Sequence, residues 1–273
     1  MAKLNRANTW FLYILATSIT ISFLFPVFWM VSTSLKKGAL AWSIPPVWPF
    51  PTLDNYRYVL FETNFLTWFT NSMIVCIVAT IVTLVLGVPA AYSLSRFKIK
   101  GGENLLFFIL STRMGPPIAF AVPFYIIFLN AHLIDRLESL IILYTIMNVS
   151  LVVWITKGFF DGIPKQIEQS AMLDGLSRFG AFRTFALPIA AEGIYTAAIF
   201  TFIFSWNEFF YASIFTSTHA RTLPPYMPSF IVVKRFLWGE MCAAATLVSI
   251  PVIILIAIVH RYIVRGLTMG IVE

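Results

Sequence analysis

Few side chains in this sequence have the types or spacing for covalent chemistry. His132, His219 and His260 stand apart, without the spacing that a metal site needs. Cys76 and Cys242 each fall inside an apolar run, which suits a core or lipid-facing thiol better than a disulfide or a metal ligand. No nucleophile is accompanied by a base in a convergent catalytic set. No G-x-x-x-x-G-K-[ST] loop occurs, so the chain is not expected to hydrolyse ATP. What remains is non-covalent chemistry within apolar surroundings, carried by Asn71, Arg113, Asn148, Asn207 and Glu208. Amides donate and accept, so Asn71 and Asn148 suit the hydroxyls of a polar solute, but they equally suit bonds between neighbouring helices. Asn207 and Glu208 either line a path through the protein or bond to a neighbouring helix. Arg113 either pairs with Glu208 to hold a gate or a subunit interface, or snorkels toward one surface.

The elements that position these residues follow from composition. Of the 273 residues 59% are hydrophobic and 11% charged, with a mean hydropathy of +0.84. Soluble domains carry roughly a quarter charged residues, so the bilayer must act as solvent here. The formal charge of +7 then belongs to loops at the membrane surface. No Lys/Arg cluster is dense enough to follow nucleic-acid phosphates, and binding to nucleic acid is not expected.

Charge-poor runs of about 20 residues mark spans. Six are expected, at about 10–33, 67–93, 105–129, 139–160, 193–215 and 241–263, giving an all-α polytopic membrane protein of one domain over 1–273. The first run lacks a cleavage site and reads as a retained span. The third is interrupted by Arg113 and by Gly115-Pro116-Pro117, a broken-helix signal. With the N-terminus inside, eleven Lys and Arg side chains fall on the cytoplasmic side and seven on the other, with Arg113 inside a span. That bias puts both termini in the cytoplasm. Among the outer loops, IPPVWPFPTLDNYRYVL is rich in Pro, Trp and Tyr, and Asp54–Leu60 suggests a short surface helix. The loop at 216–240 holds Pro224, Pro225 and Pro228 and reads as irregular.

The largest cytoplasmic segment is 161–191. Its sequence EQSAMLDGLSRFGAFRTFALP, residues 168–188, reads as two short helices joined near Gly175, with Asp174 favouring a turn. Leu176, Phe179, Phe182 and Phe185 recur every three residues and are expected to form an apolar ridge that needs cover, from the membrane surface or a partner protein. Asp174 and Arg178, four apart, are placed to brace the turn.

This segment resembles the EAA loop of ABC importer permeases, in which E-A-A-x-x-x-G is followed by L-P. Gln169-Ser170-Ala171 stand at the E-A-A positions, Gly175 at the glycine and Leu187-Pro188 at the closing pair, while Glu168 and Asp174 match an extended form. Gln169 and Ser170 depart from the pattern. TLDNYRYVL with WFTNSMIV, AYSLSRFKIKG, FSWNEFFYA and RYIVRGLTMG are similar to the maltose-type, carbohydrate-uptake permeases. The resemblance implies the type I ABC importer permease fold, with Glu168, Gln169, Ser170, Ala171, Asp174, Gly175, Leu176, Phe179, Phe182 and Pro188 on a coupling helix that docks on a cytoplasmic ATPase. It also implies a second homologous permease subunit, two ATPase subunits and a periplasmic sugar-binding protein. ATP and Mg would sit on the ATPase partners, and this chain itself would bind no cofactor and no metal. The location implied is the bacterial inner membrane, in contact with lipid. An ion-driven transporter and a membrane enzyme are the rival readings; the first gives no reason for the ridge, and the second lacks a catalytic set.

Overall fold

The computed structural model describes residues 6–43, 51–232 and 235–268. The run 44–50, Lys3, Lys234 and the Met-Gly end of RYIVRGLTMG lie outside the described residues. The backbone groups into two compact units, Met1–Leu66 with Met227–Ile250, and Thr67–Tyr226 with Pro251–Glu273.

In the first unit, helix α1 (Arg6–Ser34) is exposed along its apolar length, as a lipid-facing helix must be. Its end is fixed by Asn55 of α2 (Asp54–Arg57), whose buried Nδ2 donates to the Ser34 and Lys36 carbonyls, both at 2.7 Å. These are carbonyls that a helix end leaves without intrahelical partners. The expected short helix at 54–60 is thus present, continuing as a wider π-helical turn over Tyr58–Glu62. The loop expected to be irregular contains a 3-10 turn (Met227–Phe230) and a small antiparallel hairpin, β1 (Ile231–Val232) with β2 (Arg235–Phe236).

The second unit is built on α3 (Phe65–Arg96) and α6 (Leu137–Asp161). Between them in sequence lie α4 (Gly102–Ser111) and α5 (Pro117–Asn130), so the third expected span is two shorter helices, broken where the two prolines stand. After α6 come α7 (Lys165–Leu173), α8 (Arg178–Ala181), a π-helical turn (Phe182–Ala186) and α9 (Leu187–Ile189). Helix α10 (Ala191–Trp206) turns away from the Arg178–Ile189 segment by 72°. The fifth expected span is also divided, because α10 stops at Trp206 and α11 (Phe210–Phe215) starts after a three-residue break. Then follow α12 (Leu223–Tyr226) and the long α13 (Trp238–Thr268).

Among the described residues, four helices are long and apolar enough to cross a membrane, α1, α3, α6 and α13, and a fifth crossing results if the bent Arg178–Trp206 pair counts as one. Helix α10 packs on α6 through a stripe of small buried residues, Gly193, Ala197, Thr201 and Ser205, spaced by four. Small residues let helix backbones approach in a medium that offers no hydrophobic drive. At Gly193 the approach is so close that a Cβ would lie 2.3 Å from the Phe159 ring. One core cluster gathers Leu140, Leu143 and Tyr144 with Tyr211 and Phe215, and a second gathers Val152, Val153 and Phe160 with Ala186 and Ala190.

Candidate functional site

The segment singled out by sequence is anchored by a buried ion pair. Glu168 projects from the first turn of α7, and its Oε1 accepts from Nε of Arg96, the last residue of α3, at 2.6 Å. Both side chains are only 7% exposed. The other carboxylate oxygen accepts the Tyr92 hydroxyl. Arg96 also donates to the Phe160 carbonyl at 2.8 Å, in the last turn of α6, and to the Ile163 carbonyl at 3.1 Å, just beyond its end. Beside it, Ser95 Oγ donates to Asp161, which also holds Lys157, each at 2.6 Å. One guanidinium therefore ties α3, α6 and α7 together. In the sequence Arg96 counted only as one of the cytoplasmic charges; it stands next to the end of AYSLSRF, but its partner lies 72 residues on.

Beyond this junction the chain turns over at Gly175, whose φ of +95° is a backbone conformation that L side chains rarely adopt. Ala171 is buried, while Gln169, Ser170, Asp174 and Pro188 are exposed. The expected ridge divides. Leu176 and Phe179 are exposed, and Leu173, overlooked in the sequence, joins them at 89% exposure. Phe182 instead turns inward, with its ring 4.5 Å from Tyr92 and 6.3 Å from Phe160, and Phe185 is half-buried. The three-residue repeat does not hold one face because a π-helical turn begins at Phe182. The expected Asp174–Arg178 brace is also absent among the described ion pairs. The turn at Gly175 breaks the helix between them, and Arg178 lies over the Phe97 ring at 5.7 Å.

The polar groups within the apolar runs form a second cluster. Arg113, in the break between α4 and α5, donates to the Met147 carbonyl at 3.4 Å and to Asn148 Oδ1 at 3.5 Å, with its guanidinium 4.5 Å from the Phe204 ring. Asn148 Nδ2 donates to the Tyr144 carbonyl and to Ser205 Oγ. The expected Arg113–Glu208 pair is not formed. Glu208 instead accepts from the backbone N–H of Tyr211 and Ala212, at 2.9 and 3.0 Å, and from the Tyr144 hydroxyl at 3.1 Å. The break after α10 frees the first N–H groups of α11, and a carboxylate at a helix start satisfies them. Asn207 is exposed, its amide bonded back to Ile203. Asn71 belongs elsewhere: Nδ2 donates to the His219 and Arg221 carbonyls, both at 3.0 Å.

Asn71 thus joins a knot that sequence reasoning missed. Asp135, at φ 58°, accepts from the backbone N–H groups of Ser217, Thr218, His219 and Ala220 at 2.9–3.2 Å. Burial works against its charge, but the four N–H donors prevail and hold the carboxyl well below the usual range. Its partners lie more than 80 residues away, and no local signal announces them. Among the described residues no three His, Cys, Asp or Glu side chains gather as a metal site requires.

Comparison with known proteins identifies the class to which this helical membrane fold belongs. Residues 83–269 match the family described as binding-protein-dependent transport system inner membrane component. The chain is similar to the probable ABC transporter permease protein y4oR of Sinorhizobium fredii (36% identical, covering 92% of this chain and 91% of the relative). It is similar to the diacetylchitobiose uptake system permease protein DasC of Streptomyces coelicolor (32%, 94% and 95%) and to the trehalose/maltose transport system permease protein MalG of Thermococcus litoralis (32%, 93% and 93%). Its fold matches a chain of a bacterial ABC transporter involved in the import of the acidic polysaccharide alginate, with a TM-score of 0.79 at 21% identity over 96% of this chain and 99% of that one. The chain belongs to the binding-protein-dependent inner membrane permease family, and its fold is that of an ABC importer permease.

Proposed function

We propose that this chain is the permease subunit of an ATP-driven importer that moves a sugar or sugar-derived solute across the bacterial inner membrane by alternating access. Residues 168–188 couple it to a separate ATPase. The observation that carries this reading is the division of labour in the hairpin. Glu168 is locked inside against Arg96, so α7 moves with α3 and α6, while Leu173, Leu176 and Phe179 are left outside for a partner. Exposed apolar groups of this size on a polar segment need cover. The whole chain acts as one permease domain with six crossings, α4–α5 forming the third and α10–α11 the fifth, and with both termini and the 161–191 loop cytoplasmic.

The sugar class rests on the relatives named for diacetylchitobiose and for trehalose/maltose. Asn207 and Glu208 supply an amide and a carboxylate for hydroxyls along the path, Arg113 holds a gate or interface beside them, and Asn148, its amide taken up by Tyr144, Ser205 and Arg113, ties α6 to α10. Asn71 serves the loop knot rather than the solute. The assembly would comprise a second homologous permease, two ATPase subunits carrying ATP and Mg, and a periplasmic sugar-binding protein.

Two experiments test this. Gentle extraction of the tagged chain should bring down an ATPase, a second permease and a soluble sugar-binding protein, identified by mass spectrometry; a chain that emerges alone, even after crosslinking from residues 176–182, sinks the reading. Gly175→Val should insert in the membrane yet lose coupling, since a β-branched residue at φ +95° costs on the order of 1–3 kcal/mol. Unchanged solute-stimulated ATPase and uptake in that variant would count against the coupling role.

A further inference from the structure

Between the coupling hairpin and the end of α3 lies a half-open cleft of about 190 Å³. Lys165, Glu168, Gln169 and Met172 line it from one face of α7, at the i, i+3, i+4 and i+7 positions that share a helix side. Arg178 and Ala181 line it from α8, and Phe97 from beyond α3. This is not the apolar surface of Leu173, Leu176 and Phe179, none of which lines the cleft.

The charge in the cleft is unbalanced. Its one carboxylate, Glu168, is already spent, with one oxygen on Arg96 and the other on Tyr92. Lys165 and Arg178 have no carboxylate partner among the described residues. Besides the paired Arg96, two cations therefore line a small space together with the Tyr92 and Phe97 rings, a thioether and a methyl group, Arg178 lying over Phe97, with the Gln169 amide as an additional donor. Lys165 stands in the first turn of α7, where the helix dipole adds to the positive potential. Arginine presents a planar fork of donors suited to oxyanions, and lysine a point charge that follows phosphate.

We infer that this cleft binds a phosphate group carried on a small apolar body, clamped between Lys165 and Arg178, and that its occupancy stiffens the hairpin against α3. A soluble organic phosphate and the headgroup of an anionic phospholipid share this chemistry. The site requires no assignment of the hairpin's partner, so its test is independent of the coupling reading.

The full-length chain in nanodiscs provides the test. In phosphatidylcholine discs, phenyl phosphate should raise the unfolding temperature saturably by about 2–4 °C, weakening with salt, while benzyl alcohol should not. Lys165→Gln and Arg178→Gln should each abolish the rise, and Lys165→Arg should keep it. A lipid ligand would show itself as a rise on adding phosphatidylglycerol, lost in the same two variants, after which phenyl phosphate adds nothing. No anion-dependent rise in either disc, or one that survives in both glutamine variants, overturns the site.

Discussion

Glu168, at the junction of α3, α6 and α7, meets a guanidinium at 2.6 Å with both side chains almost closed to solvent. Glu208, at the break between α10 and α11, meets a tyrosine hydroxyl and two backbone N–H groups, while Arg113, the cation expected to pair with it, lies over Phe204 and bonds to α6. The contrast shows two ways of keeping a carboxylate in an apolar protein. In the first, opposite charges from distant parts of the chain are brought together and the pair fixes three helices. In the second, each charge is satisfied separately by backbone groups, neutral side chains and a ring, and the two remain independent. A buried pair is rigid because either member alone is costly to bury. A carboxylate held by N–H groups can be released by rearranging one helix start.

The largest expected effect breaks the first arrangement. Glu168→Gln should leave Arg96 buried without a counter-charge and lower stability by about 3–5 kcal/mol, read as a fall in the denaturant or thermal midpoint in detergent. Replacing both partners, Arg96→Met with Glu168→Leu, should recover most of that loss. A single variant as stable as the parent would mean that the junction is held by something other than the pair.

Asp135 extends the second arrangement outside the apolar runs, with backbone donors alone. Asp135→Asn should cost about 1–3 kcal/mol at neutral pH. Because folding lowers this carboxyl's pKa, its contribution is present in full above about pH 4 and is lost as pH falls through the folded value. The stability gap between parent and variant should therefore narrow in acid, and a gap constant down to the most acid condition tolerated would remove Asp135 as its source.

The smallest effect concerns Arg113. Arg113→Lys keeps the charge but loses the planar face over Phe204, at about 0.5–1 kcal/mol. Glu208→Gln made in the same background should add its own cost without coupling, since independent sites add. A coupling energy above about 1 kcal/mol between the two would restore the ion pair that the geometry lacks.

What the sequence disclosed and withheld follows the range of each interaction. The short helix after Thr52, the division of the third span at Pro116-Pro117 and the turn at Gly175 all rest on local backbone rules, and each could be read directly. The break after Trp206 carries neither proline nor glycine, so nothing local marked it, and Glu208 was assigned to a path, to a neighbouring helix or to a pair with Arg113 rather than to the start of α11. The ridge from Leu176 to Phe185 failed for a related reason: a constant repeat assumes a constant helix, and the π-helical turn at Phe182 changes the period. Glu168 was conspicuous through its motif, but a motif names a residue without naming what it touches. Arg96 and Asp135, whose partners are 72 and more than 80 residues away, needed the fold.

The separation between Arg96 and Glu168 also sets an order of events during synthesis. At typical rates of chain growth, roughly 4–14 s pass between the making of the two residues, and throughout that interval the guanidinium lacks the carboxylate that it pairs with in the fold. Its position as the final residue of α3 rather than within the helix lets water hold it while it waits. The junction can close only when α6 and the first turn of α7 have followed, so the three-helix tie is a late contact. A chain halted before residue 168 would carry its longest described helix, α3, with an unlatched end.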